Sequence, residues 1–225
     1  MWLYKINRHL GPVIGSYWRL RLRGEIDSIP TDGPLLVASN HSSFVDPWFI
    51  GMCFPRPIRY LMTEKWYYRS RISEAIFSAF GTIPINGGNP RETIETVALR
   101  VLEGDAVGVF PEGRISNDGR IQKFRSGVAR IAARTRAPVV PVGIRGGYES
   151  IPRTRRVPRL SRVTVHVGRP IVFEGETDGG VPTTAQIQAF NEELFARISR
   201  LADRPPVAVE QRPADRAGRS DVPTG

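Results

Sequence analysis

Residues 40–46 read Asn-His-Ser-Ser-Phe-Val-Asp and set the imidazole of His41 five residues before the carboxylate of Asp46. A carboxylate that holds one ring N–H fixes the histidine tautomer and leaves the other nitrogen free to take a proton, which makes a general base. The competing reading is that Asp46 caps a helix opened by Pro47 while His41 only packs. Of the other histidines, His9 falls in an amphipathic stretch and His166 on an alternating strand pattern, and both read as surface or packing residues. Ser42 and Ser43 adjoin His41, yet no Gly-x-Ser-x-Gly elbow occurs, and Cys53, the single cysteine, lies in an apolar helical stretch. A base without a protein nucleophile suits direct transfer, in which a hydroxyl of the substrate is the attacking group. The chain has no Walker loop, no Gly-x-Gly-x-x-Gly fingerprint and no His-Glu-x-x-His zinc helix, so neither a metal nor a cofactor is expected.

The elements around this pair follow from periodicity. Leu35–Ser39 is a short buried-strand pattern with His41 in the turn after it, the strand end where α/β proteins gather their sites. Residues 59–63, 82–85, 106–110, 137–144 and 162–168 read as further strands. Helical patterns fill 73–80, 91–103, 126–136 and 184–202, and Asp46-Pro47 reads as a helix start with Asp46 near the N-cap. Strands interleaved with helices predict an α/β fold, a mixed sheet flanked by helices in one domain over 25–202. Residues 1–24 space Trp2, Ile6, Leu10, Val13, Tyr17 and Leu22 as an amphipathic helix divided at Gly11-Pro12, which fits either a bilayer interface or the chain's own domain. Residues 203–225, rich in proline and poor in large apolar side chains, read as a disordered tail.

Charge narrows the partners. The balance is +10 from 32 Lys+Arg against 22 Asp+Glu, and all but Lys5, Lys65 and Lys123 of the bases are arginine. Arginine bias has a bland source in genome composition, but its clustering suits phosphate. Six arginines, at 153, 155, 156, 159, 162 and 169, lie between Glu149 and Glu174 with no acid among them. Charge alone leaves anionic lipid, nucleic acid and an acidic carrier protein open. No run reaches the roughly 18 apolar residues of a spanning helix, no secretory signal is read at the N-terminus, and one cysteine fits a reducing, cytoplasmic setting.

Four blocks, taken in order, then carry a resemblance. Asn-His-x4-Asp at 40–46, Gly-Thr-Ile-Pro-Ile at 81–85, Phe-Pro-Glu-Gly-Arg-Ile-Ser at 110–116 and Val-Pro-Val-Gly-Ile at 140–144 resemble the glycerolipid acyltransferase family typified by 1-acylglycerol-3-phosphate acyltransferases. The similarity spans roughly 30–170. It implies that His41, oriented by Asp46, deprotonates an acceptor hydroxyl that attacks an acyl thioester of coenzyme A or acyl carrier protein. It further implies lysophosphatidic acid or a related lipid as acceptor, phospholipid synthesis as the setting, and a peripheral or monotopic place on the cytoplasmic face of the cell membrane. Nucleic acid is then not an expected partner. The third block implies an acceptor pocket with Glu112, Gly113, Arg114 and Ser116. A glycine turn at a strand end lets backbone N–H groups and an arginine approach a phosphate, although a plain tight turn has the same sequence. Lys123 and Arg125, in the basic stretch that follows, are implied phosphate ligands. Family members that take lysophosphatidic acid commonly carry an arginine two residues after the second block. Gly87 stands there in this chain and Arg91 is the substitute within reach, so a lysophospholipid, a glycolipid or an ornithine-type lipid stays open as acceptor.

Overall fold

The computed structural model describes residues 15–151, 157–175 and 181–203. Seven strands form one mixed sheet in the order β1-β7-β6-β2-β5-β3-β4. They are β1 (Arg21–Gly24), β2 (Leu35–Ser39), β3 (Ile58–Thr63), β4 (Ile83–Ile85), β5 (Ala106–Val109), β6 (Val139–Arg145) and β7 (Thr164–Val167). Strands β6, β2, β5, β3 and β4 run parallel to their neighbours, whereas β7 is antiparallel to β6 and carries β1 parallel on its outer side. The helices are α1 (Asp46–Cys53), α2 (Glu64–Tyr67), α3 (Arg71–Ala79), α4 (Pro90–Leu102), α5 (Gly127–Thr135), α6 (Gly147–Ser150) and α7 (Thr184–Ala202), with a short 3-10 turn at Ile26–Ser28.

Strand β2 is central and buried at every position because helices cover both of its faces. Its side chains alternate between two cores. Leu36 and Ala38 join Val97 and Val101 of α4, Val128 and Ala132 of α5, and Leu194 and Ile198 of α7. Leu35 and Val37 face the other way, onto Phe49 and Ile50 of α1, Trp18, Val163 just before β7 and Val165 within it. Helix α7 starts at a capping box in which the Thr183 and Gln186 side chains exchange hydrogen bonds with each other's backbone N–H. Helix α4 starts at Asn89, whose side chain accepts from Glu92 N–H.

The mixed sheet with flanking helices agrees with the expectation from sequence. The amphipathic segment needs correction at its end. Residues 1–14 lie outside the described residues, but Arg21–Gly24 is a strand on β7 rather than the close of a helix. Leu20 and Leu22 pack on the core with period two while Arg21 and Arg23 are exposed, and Trp18 is buried edge-on against Phe49. The interior claims these side chains, not a bilayer. The expected tail lies outside the described residues from 204 onward. No helix among the described residues is long and apolar enough to cross a membrane.

Candidate active site

The C-terminal end of β2 runs into the loop of residues 40–45, and a set of polar contacts fixes that loop from three sides. Asn40 continues the sheet with its side chain: its amide donates to Ile144 C=O at 3.1 Å and its carbonyl accepts Ile144 N–H at 2.8 Å, pinning the loop to β6. Ser43 Oγ donates to Ile151 C=O at 2.8 Å, beyond α6. The main chain of His41 is held at both ends by the 110–116 turn, since its N–H donates to Glu112 Oε1 at 2.7 Å and its C=O accepts Ser116 N–H at 2.8 Å.

Asp46 is the first residue of α1 and Val45 is its cap, in agreement with the expected helix start. The carboxylate turns back to the loop. Its Oδ2 accepts Ser42 N–H at 2.6 Å and Ser43 N–H at 2.7 Å, and lies 3.0 Å from His41 Nδ1. Three contacts converge on this one oxygen at the positive end of a helix and leave the carboxylate one orientation. An acceptor at Oδ2 favours the tautomer with its proton on Nδ1, which leaves the lone pair on Nε2. Asp46 is wholly buried while 15% of the His41 side chain is open, so the orienting group is shielded and the ring is reachable. The imidazole stacks on Phe110 at 3.8 Å between centroids, and Phe110 stacks in turn on Tyr60 of β3 at 5.9 Å.

Nearby thiols and hydroxyls are poorly placed as nucleophiles. Ser42 and Ser43 are both buried, and Ser43 Oγ is committed to Ile151. Burial pushes the Cys53 thiol up to about 12, so it stays protonated at neutral pH. His166 sits half-buried on β7, lowered first by burial and then by the charges of Arg145 and Arg23, in keeping with a packing role. Among the described residues no cluster of His, Cys, Asp and Glu has the makings of a metal site.

The six expected acceptor-binding residues divide into two sets. Glu112 and Ser116 are buried. Glu112 spends Oε1 on His41 N–H and Oε2 on Gln122 N–H at 2.9 Å, and Ser116 Oγ lies 2.8 Å from Arg120 C=O and 3.0 Å from Asp118 Oδ1. Their place in the structure is to brace His41 rather than to face solvent. Gly113 has a φ of +68°, and a Cβ there would lie 2.8 Å from Arg125 Nε, so its lack of a side chain lets the arginine lie across the turn. Arg114, Lys123 and Arg125 are exposed. Arg125 N–H donates to Pro111 C=O at 2.9 Å, which ties the basic stretch to the 110–116 turn. These three leave their cations open to an anionic group.

Glu112 gives a measurable pH signature. Burial raises its carboxyl from 4.5 to about 7, against the two N–H bonds that pull it down. Between those values the folded chain binds more protons than the unfolded one, so this group's contribution to stability falls as pH rises through the window. Glu112→Gln removes the slope. It also sets an amide NH2 against one of the two N–H donors, at a cost of about 1–3 kcal/mol. Denaturant unfolding at the two ends of the window is expected to show a less stable variant that loses less than the parent on going to the higher pH.

Sequence reasoning passed over two residues. Asn40 was read only as part of a motif, although it is the tie to β6. Gly147 opens α6, and a Cβ there would lie 2.7 Å from both Asp46 Oδ1 and Ser42 Oγ, so a glycine from the end of β6 makes room for the orienting carboxylate. Neither contact leaves a local signal, since each joins residues far apart in the chain.

A family model described as Acyltransferase matches residues 21–145. The chain is 26% identical over 194 residues to a 1-acyl-sn-glycerol-3-phosphate acyltransferase of Bacillus subtilis, covering 82% of this chain and 92% of that one. It is 29% identical over 143 residues to a chloroplastic protein of the same description from Brassica napus, covering 62% of this chain. It spans 41% of that relative and 45% of an Arabidopsis thaliana one, less than half the length of either plant protein. The crystal structure of the 1-acyl-sn-glycerophosphate acyltransferase PlsC from Thermotoga maritima shares the fold with a TM-score of 0.68 at 23% identity, over 91% of this chain and 81% of that one.

Proposed function

The chain belongs to the acyltransferase family, and from that membership we propose that it transfers a fatty acyl group from an acyl thioester to a hydroxyl of lysophosphatidic acid. The observation that carries the chemistry is the 3.0 Å contact between His41 Nδ1 and the buried Asp46 carboxylate, which leaves Nε2 as the base. Nε2 takes the acceptor's hydroxyl proton as its oxygen attacks the thioester carbonyl. The carbon–sulfur bond then breaks, and the departing sulfur takes the proton from the imidazolium, giving an ester and a free thiol. No acyl-enzyme stage is needed, in keeping with the buried serines and the protonated Cys53. Arg114, Lys123 and Arg125 are the proposed phosphate ligands, and coenzyme A or acyl carrier protein the proposed carriers. The cytoplasmic face of the cell membrane is the proposed location, in phospholipid synthesis.

One feature favours keeping a second acceptor class in the test. Gly87, where the resemblance leads to the expectation of an arginine, lines a cleft of about 390 Å³ with Thr63, Glu64, Lys65 and Asn86 at the carboxyl ends of β3 and β4. Its only basic lining residue is Lys65. Lysophosphatidic acid, a lysophospholipid with a larger headgroup, a glycolipid and an ornithine lipid are therefore offered in turn with a long-chain acyl thioester, and thiol release is followed. The reading expects release with lysophosphatidic acid to exceed the others. A preference for an uncharged acceptor would move the assignment to that lipid, and equal release without any acceptor would make the protein a thioesterase.

Gly147→Ala is expected to lower the transfer rate by about tenfold or more, because a displaced carboxylate misaligns the base. Ser42→Gly in the same chain removes one of the two clashing groups and is expected to restore part of the rate. Steady-state kinetics with melting curves alongside separate this from simple unfolding.

A further inference from the structure

We propose that the outward face of α3, with the Trp66–Arg69 segment before it, docks this protein on an anionic lipid bilayer. The proposal rests on the lipid-acceptor reading only for why such a surface is useful. Helix α3 begins at a capping box between Ser70 and Ser73, so it is locally well specified, yet it contains no buried residue. Its inward stripe is Ser73, Phe77 and, just past its end, Phe80, all half-buried, and Phe77 stacks on the buried Tyr67 at 5.9 Å. A second apolar stripe, Ile72, Ala75, Ile76 and Ala79, recurs at helical spacing on another side. Ile72 is 73% exposed and Ile76 46% exposed. Trp66 and Tyr68, also more than half exposed, lie in the segment that leads directly into this helix.

The composition indicates what covers the face. Arg69 lies over the Trp66 ring at 5.0 Å, and Lys65 and Arg71 are exposed on either side. Aromatic rings, aliphatic side chains and snorkelling cations together match the boundary between headgroups and acyl chains, where each residue type has both an apolar and a polar neighbour. Lys65, Arg69 and Arg71 outnumber the exposed acids of the same segment, Glu64 and Glu74, by one, and this excess of positive charge favours an anionic surface. Position agrees. Helix α2 starts directly after the carboxyl end of β3, which is parallel to β5 and, through it, to β2, so the patch lies at the same edge of the sheet as the His41 loop. Phe44 in that loop is itself 63% exposed. A bilayer met at this edge would bring its lipids to the reachable side of the imidazole.

The test is vesicle cosedimentation of the full chain with phosphatidylcholine mixed with phosphatidylglycerol, against phosphatidylcholine alone. Ile72→Glu/Ile76→Glu is expected to weaken binding to the mixed vesicles by about tenfold or more, since two side chains lose their apolar contact. Ile72→Gln/Ile76→Gln, free of added charge, is expected to weaken it as well. Acyl transfer between short-chain, fully soluble donor and acceptor should stay within about twofold of the parent in both variants, because neither residue touches the site. Unchanged vesicle binding would overturn the proposal. So would a shift of the variants from dimer to monomer in sedimentation without loss of vesicle binding, which would give the face to a second copy of the chain. Loss of vesicle binding in a protein that transfers no acyl group would support the surface while refuting the proposed reaction, so the two failures are distinct.

Discussion

His41→Ala is expected to slow acyl transfer by about 10²- to 10⁴-fold, the contribution typical of a positioned general base. The loss should lie in kcat more than in KM, because the proton moves only as the hydroxyl attacks. The fold should survive. The loop is held through its main chain by Glu112 Oε1 and Ser116 N–H and by the Asn40 side chain, none of which needs the imidazole. What is lost from packing is the stack on Phe110, at a partly open position. Thiol release measured beside a melting curve checks both parts, and a variant that keeps its rate would remove the base from the mechanism.

Asp46→Asn is expected to cost about 10²-fold in kcat with little change in structure. Asparagine can keep a carbonyl oxygen where Oδ2 accepts Ser42 N–H, Ser43 N–H and His41 Nδ1, placing its NH2 where Oδ1 has no hydrogen-bond partner among the described residues. The loop therefore stays, and only the negative charge goes. That charge favours the imidazolium formed as the hydroxyl gives up its proton. Unit charges about 4 Å apart at an effective dielectric near 20 attract by about 4 kcal/mol, part of which desolvation offsets. With Asp46 acting through His41 as proposed, the double variant His41→Ala/Asp46→Asn should be no slower than His41→Ala alone. Additive losses would mean that Asp46 does something else.

The sequence exposed the parts of this site that rest on local pattern. The strand at 35–39 and the helix at 184–202 appear with the expected bounds, because one is a short apolar run and the other has a clear cap and stripe. The His41–Asp46 pair was legible for the same reason: five residues span one loop. Strand β1 was missed because Leu22 fits a helical stripe begun upstream as well as a period of two with Leu20, and only pairing with β7, far along the chain, decides between them. Glu112 and Ser116 were read as acceptor-binding residues, and what the sequence did not show is that both side chains are buried. Chemistry-bearing side chains beside a glycine turn look like ligands for a substrate, yet both serve the backbone at His41 and inside the turn. Gly147 was invisible, since the need for a missing Cβ shows only once Asp46 and the end of β6 are brought together.

The most direct measurement is a single-turnover reaction of excess protein with a long-chain acyl thioester, in which thiol is followed before and after lysophosphatidic acid is added. The predicted result is no thiol until the acceptor arrives, then release matched by diacylated product, in the parent and not in His41→Ala. Stoichiometric thiol without acceptor, with the acyl group left on the protein, would contradict a base that acts directly on the acceptor hydroxyl.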